Sequence, residues 1–192
     1  MKIDFKLELK TWIIYFVIII LSVYVHELGH SICAWIHGYR AVPTPAKNYV
    51  IDAIPGNLQQ YISLGGIVGS ILFVFIIFFL YVYKTFKFNS AILAASIVAP
   101  GMYTLRFILK GRGHDETEFQ EAQSALGLNY SGHSLDWLFL VLFLSGIVLW
   151  IIKSKPNYKI SGRLFIGFIL TFIFSIALQD LNNAIFDPMF KS

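Results

Sequence analysis

Most charged residues in this 192-residue chain lie at the ends of apolar runs about 20 residues long, the length of helix that crosses a bilayer. Only 14% of the residues are charged and 57% are hydrophobic, whereas a soluble domain carries roughly 25% charge. The sequence therefore predicts one all-α polytopic membrane domain over residues 1–192, with about five transmembrane helices, one short interfacial helix and one strand-like loop. The spans are predicted at residues 11–37, 61–83, 88–109, 135–152 and 164–185.

The first span contains the motif His26-Glu27-x-x-His30. Two histidines four residues apart lie on one face of a helix, about one turn from each other, and this spacing suits two ligands of one Zn²⁺. Glu27 lies about 100° round the helix, where it can act as general base on a metal-bound water. Zinc lowers the pKa of such a water from about 15.7 towards 7. The alternative is a set of polar residues satisfied by neighbouring helices.

A catalytic zinc usually has a third protein ligand. The motif lies near the C-terminal end of its span, and the link after the third span opens on that same side, as does the end of the fifth span. Asp115 and His114 are the first candidates for the third ligand, Glu118 is next, and Asp180 is a further choice. Asp115 and Glu118 also have the spacing of a helix capping box, which remains an alternative for both.

Two links between spans have predicted structure of their own. The link from Tyr39 to Gln60 contains three prolines and alternates in places, which predicts an extended or hairpin-like segment near the membrane surface. Such a segment is either an edge that pairs with a peptide substrate or a plain connector. In the link after the third span, apolar residues follow Asp115 at helical spacing up to Gly127, which predicts a short amphipathic helix.

Lysines and arginines predict the orientation. Nine lie on the side of the N-terminus and five on the other, and the richer side is normally cytoplasmic. The sequence therefore predicts an integral, multi-pass membrane protein with its N-terminus in the cytoplasm. The net charge of +4 follows from these border residues and indicates the lipid bilayer, not nucleic acid, as a partner.

Four further residues have two interpretations or a packing role. Arg106 lies one turn inside the third span, where it either snorkels to the interface or steadies a substrate carboxylate or oxyanion. Gly65 and Gly69 form a small-xxx-small face that would draw the second span against the metal helix. That packing would bring Ser70 to the site, where it either hydrogen-bonds a substrate or serves only in helix packing.

Two segments resemble the intramembrane zinc metalloproteases of the site-2 protease type. The first is Val25–His30 within a membrane span. The second is Leu64–Leu72, which is similar to the family's Gly-Pro-Leu-x-Asn segment, with Ile67 in place of proline and Ser70 in place of asparagine. The resemblance covers residues 20–75 well and the remainder only in outline.

The resemblance implies that His26 and His30 bind zinc and that Glu27 is the general base. It also implies an aspartate as third ligand, normally in a Leu-Asp-Gly segment; this chain has no such segment, and Gly113-His114-Asp115 is the nearest substitute. In typical members the site faces the cytoplasm, whereas the charge count places this site on the outer side. The sequence therefore leaves open which side of the membrane the site faces.

The leading functional hypothesis is hydrolysis of peptide bonds in a membrane protein or peptide substrate, with zinc as the cofactor. The alternative is a zinc hydrolase or transferase acting on a lipid or small amphiphile, because the motif activates water without specifying what is attacked. A third hypothesis, a non-enzymatic membrane scaffold, is disfavoured because a structural metal site has no use for a base such as Glu27.

Overall fold

The computed structural model describes residues 5–83, 89–109, 114–125, 127, 133–154 and 158–190, and within these ranges the protein is mostly helical. Its elements in chain order are α1 (Phe5–Ile36), β1 (Ala41–Pro43), β2 (Asn48–Val50), α2 (Gly56–Val82), α3 (Asn89–Ser96), a π-helical turn (Ile97–Gly101), α4 (Met102–Ile108), α5 (His114–Ala125), α6 (Ser134–Ser154) and α7 (Tyr158–Phe190).

Three helices in the described ranges are long and apolar enough to cross a membrane, over Trp12–Ile36, Leu58–Val82 and Ser134–Ile152. They correspond to the first, second and fourth predicted spans. The predicted helical fold is confirmed, and the three long apolar helices are consistent with a membrane protein. The third predicted span is a shorter apolar stretch over Ile92–Ile108, and the fifth falls inside α7. The count of five spans stays a prediction.

The third predicted span is interrupted by a π-helical turn that contains Pro100. Proline has no backbone N–H and its ring collides with the carbonyl of the preceding turn, so the regular hydrogen-bond ladder cannot continue through it. A π-helical turn accommodates the irregularity without ending the helix. As a result α3, the turn and α4 follow one another without a break, and α4 ends at Ile108.

Glycines bring α1 and α2 into backbone contact. A Cβ atom on Gly29 would overlap the carbonyl of Gly65, and a Cβ on Gly65 would overlap the carbonyl of Gly29. A Cβ on Gly69 would press on the carbonyl of Val25. The predicted small-residue face therefore packs against the helix that carries the histidine motif, at the level of that motif.

The segment between α1 and α2 is a β-hairpin, as its sequence indicates. Strands β1 and β2 pair antiparallel with Val42 opposite Tyr49. Two contacts attach the hairpin to α1: Trp35 Nε1 donates to the Ala41 carbonyl at 2.9 Å, and Ser31 Oγ donates to Asn48 Oδ1 at 2.7 Å. The hairpin is therefore fixed beside the C-terminal part of α1, one turn beyond the histidine motif.

An ion pair closes the open end of the hairpin. Arg40 Nη2 lies 2.7 Å from Asp52 Oδ1, and the Arg40 backbone N–H donates to Asp52 Oδ2 at 2.6 Å. The hydrogen bonds from Arg40 hold the pKa of the Asp52 carboxyl below its usual value. The two strand ends stay together on the exposed side of the hairpin.

Helix α7 runs alongside α1 in the same direction. Phe174 packs on Phe16 with 5.2 Å between ring centroids, and farther along α7 Asp187 reaches the hairpin that follows α1. Asp187 Oδ1 accepts a hydrogen bond from the Tyr49 hydroxyl at 2.7 Å and lies 3.2 Å from Lys47 Nζ. The C-terminal part of α7 is thus attached to β2.

The predicted amphipathic helix is α5. This helix begins at His114 and ends at Ala125. Gly127, two residues after its end, has φ +67°, the left-handed conformation that ends helices. Ala122 is buried, and Phe119 packs against the main core. Helix α5 packs on α2.

Candidate metal centre

The two histidines of the motif converge through their Nε2 atoms. His26 Nε2 and His30 Nε2 lie 3.1 Å apart, and the rings are perpendicular. Two nitrogens bound to one zinc at 2.0–2.1 Å with tetrahedral geometry lie about 3.3 Å apart. The pair therefore has nearly the separation that one shared zinc ion requires, as the four-residue spacing predicts.

The other nitrogen of each ring is held by α2. His30 Nδ1 lies 3.0 Å from the Ile62 carbonyl oxygen, and His26 Nδ1 lies 3.0 Å from Ser70 Oγ. Metal-binding histidines are usually oriented in this way, with the second nitrogen hydrogen-bonded to a carbonyl, carboxylate or other polar group. Ser70 therefore contacts a candidate zinc ligand, a contact that the sequence analysis did not predict.

These partners also determine where the protons lie. A carbonyl oxygen only accepts, so His30 Nδ1 carries the hydrogen and its Nε2 keeps a lone pair when the ring is neutral. A serine hydroxyl both donates and accepts, so His26 has two arrangements. If Ser70 accepts, both Nε2 lone pairs converge and favour a cation between them; if Ser70 donates, His26 Nε2–H bonds to His30. In the first arrangement the two imidazoles would fit zinc as two of its ligands, and in the second they bond to each other.

Gly66 makes room for the His30 ring. A Cβ atom at position 66 would overlap the Nε2 and Cε1 atoms of His30. The ring lies directly against the backbone of α2, and this contact is possible because glycine has no side chain. The small residues of α2 therefore do more than draw the two helices together: they set the position of one candidate ligand.

The histidine pair opens on a cavity of about 590 Å³, which is called the motif cavity below. Its walls come from α1, the hairpin, α2, α4 and α7. Most of the lining side chains are polar, which is unusual for a cavity between apolar helices. The polar side chains that line the motif cavity are His26, Glu27, His30, Lys47, Asn48, Gln59, Ser63, Arg106, Gln179 and Asn183.

Arg106 lines the motif cavity together with Glu27. Its guanidinium carbon lies 5.7 Å from the centre of the Tyr103 ring. Both interpretations that the sequence allows, snorkelling and contact with a substrate group, stay open for this side chain. Lys47 is the second cationic side chain in the lining.

The predicted third ligands stay predictions. His114 and Asp115 form the first residues of α5, but their side chains, like that of Glu118, lie outside the described part of the chain. Asp180 is exposed and is not among the residues that line the motif cavity. Among the side chains that the structure does describe, no three His, Cys, Asp or Glu residues converge closely enough to hold a metal ion.

The polar end of the fifth predicted span does approach the motif, as the sequence suggests. Asn183 lines the motif cavity, and Asp187 binds the hairpin instead. Burial and the hydrogen bond to Asp187 raise the pKa of Tyr49 to about 12. The sequence analysis did not single out Gln59, Lys47 or Gln179; the four-residue spacing of Gln179 and Asn183 is the signal that points to one shared face.

Comparison with protein-family models, curated proteins and solved structures finds no match to the chain.

Proposed function

We propose that this protein is an intramembrane zinc metalloprotease. The observation that carries the proposal is the convergence of His26 Nε2 and His30 Nε2 at 3.1 Å, on a helix of membrane-spanning length and beside Glu27 in the motif cavity. Ionisable residues at such a place are expensive to bury and usually functional. The resemblance of the motif segment to the site-2 protease type agrees with this assignment.

His26 and His30 would hold the zinc ion, with Asp115 as the first choice for the third ligand and His114 as the second. Helix α5, which begins with these two residues, packs on the same α2 that orients both imidazoles. A bound zinc supplies Lewis-acid polarisation of a water molecule and of the scissile carbonyl. The Ile62 carbonyl and Ser70 keep the two imidazoles in place for this task.

Glu27 is the proposed general base. It follows His26 directly in α1, and its side chain lines the motif cavity. A carboxylate in this position takes a proton from the attacking water and passes it to the leaving amine. This role needs a carboxylate and not merely a polar group. The substitution Glu27→Gln, which places an amide there, should therefore leave the metal site intact while preventing the reaction.

The hairpin supplies an edge for an extended substrate. Thr44 N–H donates to the Lys47 carbonyl and Ile51 N–H to the Arg40 carbonyl, each at 2.9 Å. Hydrogen-bonded and non-bonded pairs alternate along antiparallel strands, so the backbone groups of Asn48 and Val50 point away from β1. Both residues line the motif cavity. A helical substrate that unwinds loses its internal hydrogen bonds, and pairing with β2 replaces them.

The proposed arrangement in the membrane has five spans with a cytoplasmic N-terminus. Support for the odd number comes from α7, which runs alongside α1 in the same direction, as a fifth span must relative to a first. Support for a third span comes from Arg106 near the end of α4, which reaches the same cavity as the C-terminal half of α1. The cytoplasmic N-terminus rests on the distribution of lysine and arginine alone.

A second candidate is a zinc hydrolase or transferase that acts on a lipid or small amphiphile. It is favoured by Lys47 and Arg106, which give the motif cavity two cationic side chains near the zinc ligands. Such side chains suit the phosphate of a lipid headgroup. The peptide hypothesis is preferred because the outward edge of β2 offers hydrogen bonds that a peptide backbone uses and a lipid does not.

Metal content and hydrolysis by the purified protein in detergent test the proposal. We expect about one zinc per chain in the wild type and in Glu27→Gln, and a large loss of zinc in His26→Ala. Single-span peptides should be cleaved by the wild type and not by Glu27→Gln, as followed by mass spectrometry. Cleavage of dispersed phospholipids instead would select the second candidate. A wild type that binds no zinc even when zinc is supplied would refute both.

A further inference from the structure

One face of α7 carries three polar residues at four-residue intervals: Gln179, Asn183 and Asp187. Residues with this spacing follow one another along a helix face. Asp187 binds Tyr49 and Lys47 of the hairpin, which turns this face towards β2. Asn183 and Gln179, one and two turns earlier, accordingly line the motif cavity. The face is called the α7 amide face below.

Asn183 has an unmet hydrogen-bonding requirement. Its Oδ1 atom is buried and accepts no hydrogen bond from any group in the described residues. A buried amide oxygen without a donor is unfavourable, and in native proteins such atoms often mark a place where a water or a ligand binds. Because Asn183 lines the motif cavity, the missing donor would come from whatever occupies that cavity.

The spacing of the α7 amide face matches an extended peptide. Residues four apart on a helix are separated by about 6.0 Å along its axis. Groups on the same edge of a strand recur every second residue, about 6.6–6.8 Å apart. Gln179 and Asn183 can therefore meet successive outward-facing groups of one strand. The outward edge of β2, formed by Asn48 and Val50, lines the same cavity.

We propose that the α7 amide face is the second wall of a substrate cleft, in which Gln179 and Asn183 bind the backbone amides of an extended peptide whose other edge pairs with β2. An asparagine amide offers both an acceptor for a peptide N–H and a donor for a peptide carbonyl. The inference rests on the proposed peptidase function and adds that the backbone of the substrate is recognised from both sides. Recognition at these two positions is then tolerant of substrate sequence.

Binding without turnover tests the inference, with every variant made in the Glu27→Gln protein. The probe is a fluorescein-labelled single-span peptide of leucine and alanine with a central Gly-Asn-Gly segment, and binding is measured by fluorescence anisotropy in detergent. A set of ester analogues, each lacking one central N–H, is measured alongside it. The variants are Asn183→Leu and Gln179→Leu, and Leu181→Ala serves as the control because this neighbouring side chain is 58% exposed.

We expect Asn183→Leu to bind the peptide roughly tenfold more weakly and Gln179→Leu to show a similar loss, with Leu181→Ala unchanged. One ester analogue should bind weakly when Asn183 is present and suffer no further loss in Asn183→Leu, a coupling that general loosening of α7 would not produce. If both leucine variants bind the peptide as tightly as the parent Glu27→Gln protein, the second wall is overturned and the peptidase proposal still stands. Failure of every protein, including Glu27→Gln alone, to bind the peptide would overturn both.

Discussion

His30 Nδ1 lies 3.0 Å from the Ile62 carbonyl oxygen, so a backbone group of α2 determines which nitrogen of the His30 imidazole is available to a metal. This contact exists because the two helices meet through glycines and leave no space between the ring and the backbone of α2. The position of a candidate zinc ligand thus depends on the absence of side chains on the neighbouring helix. Substitutions on α2 should consequently affect the metal site.

Gly66→Ala tests this dependence. A methyl group at position 66 would overlap the His30 ring, so the imidazole must move away from its position opposite His26. We expect the variant to lose most of its zinc, as measured by metal analysis of the purified protein. Gly56→Ala is the matched control, because a Cβ there meets no atom within 4 Å. Full zinc content in Gly66→Ala would show that the ring position does not matter.

Ser70→Ala removes the hydroxyl that lies beside His26 Nδ1. Partners of this kind orient a metal-binding histidine, and their loss typically weakens metal affinity by about 10- to 100-fold. We expect a weakening in that range in a competition titration with a zinc chelator. Ser96→Ala is the control, because Ser96 is equally buried but donates to the carbonyl of Ile92 in its own helix. An unchanged zinc affinity in Ser70→Ala would assign Ser70 to helix packing alone.

The third ligand is predicted to be Asp115. Asp115→Ala should lose zinc nearly as completely as His26→Ala, because two imidazoles alone make an incomplete zinc site. His114→Ala is measured in parallel, and Glu121→Ala serves as the control from the exposed side of the same helix. If the Asp115 and His114 variants both keep their zinc, the third ligand lies elsewhere in the chain.

The sequence predicted those features that a local pattern determines. Four-residue spacing placed His26 and His30 on one face, prolines predicted the hairpin, and Gly127 predicted the end of α5. It also predicted that Gly65 would lie against the helix that carries the histidine motif, because small residues allow close approach. In each case the information lies within a few residues of the feature.

Contacts between elements that are distant in the chain could not be predicted from the sequence. Ser70 was a plausible neighbour of the site, but its bond to His26 Nδ1 depends on the rotation of α2 about its own axis, which no local pattern fixes. The same holds for Asp187 near the end of α7, whose hydrogen bond with Tyr49 of the hairpin no local pattern predicts. The interruption at Pro100 could be expected, but not its form as a π-helical turn.

Because of the Tyr49–Asp187 hydrogen bond, the attachment of α7 to the hairpin should weaken at high pH. The folded-state pKa of Tyr49 is about 12, above the usual value near 10, because burial and the Asp187 carboxylate favour the neutral phenol. A raised folded-state pKa means that this stabilisation is fully present below about pH 10 and is lost as the pH rises through about 12.

We expect Tyr49→Phe to lower the free energy of unfolding near pH 8 by roughly 1.5–3 kcal/mol, the range for a hydrogen bond to a charged group. Chemical denaturation in detergent at pH 8, 10 and 11.5 measures the difference from the wild type. This difference should shrink above pH 10 because the Tyr49 phenol of the unfolded chain, with its usual pKa near 10, loses its proton there while the folded-state phenol keeps its own. Tyr83→Phe is the control, because Tyr83 is 67% exposed and its removal should change little at any pH. A difference that stays constant up to pH 11.5 would mean that packing of the Tyr49 ring, and not its hydroxyl, fastens α7 to the hairpin.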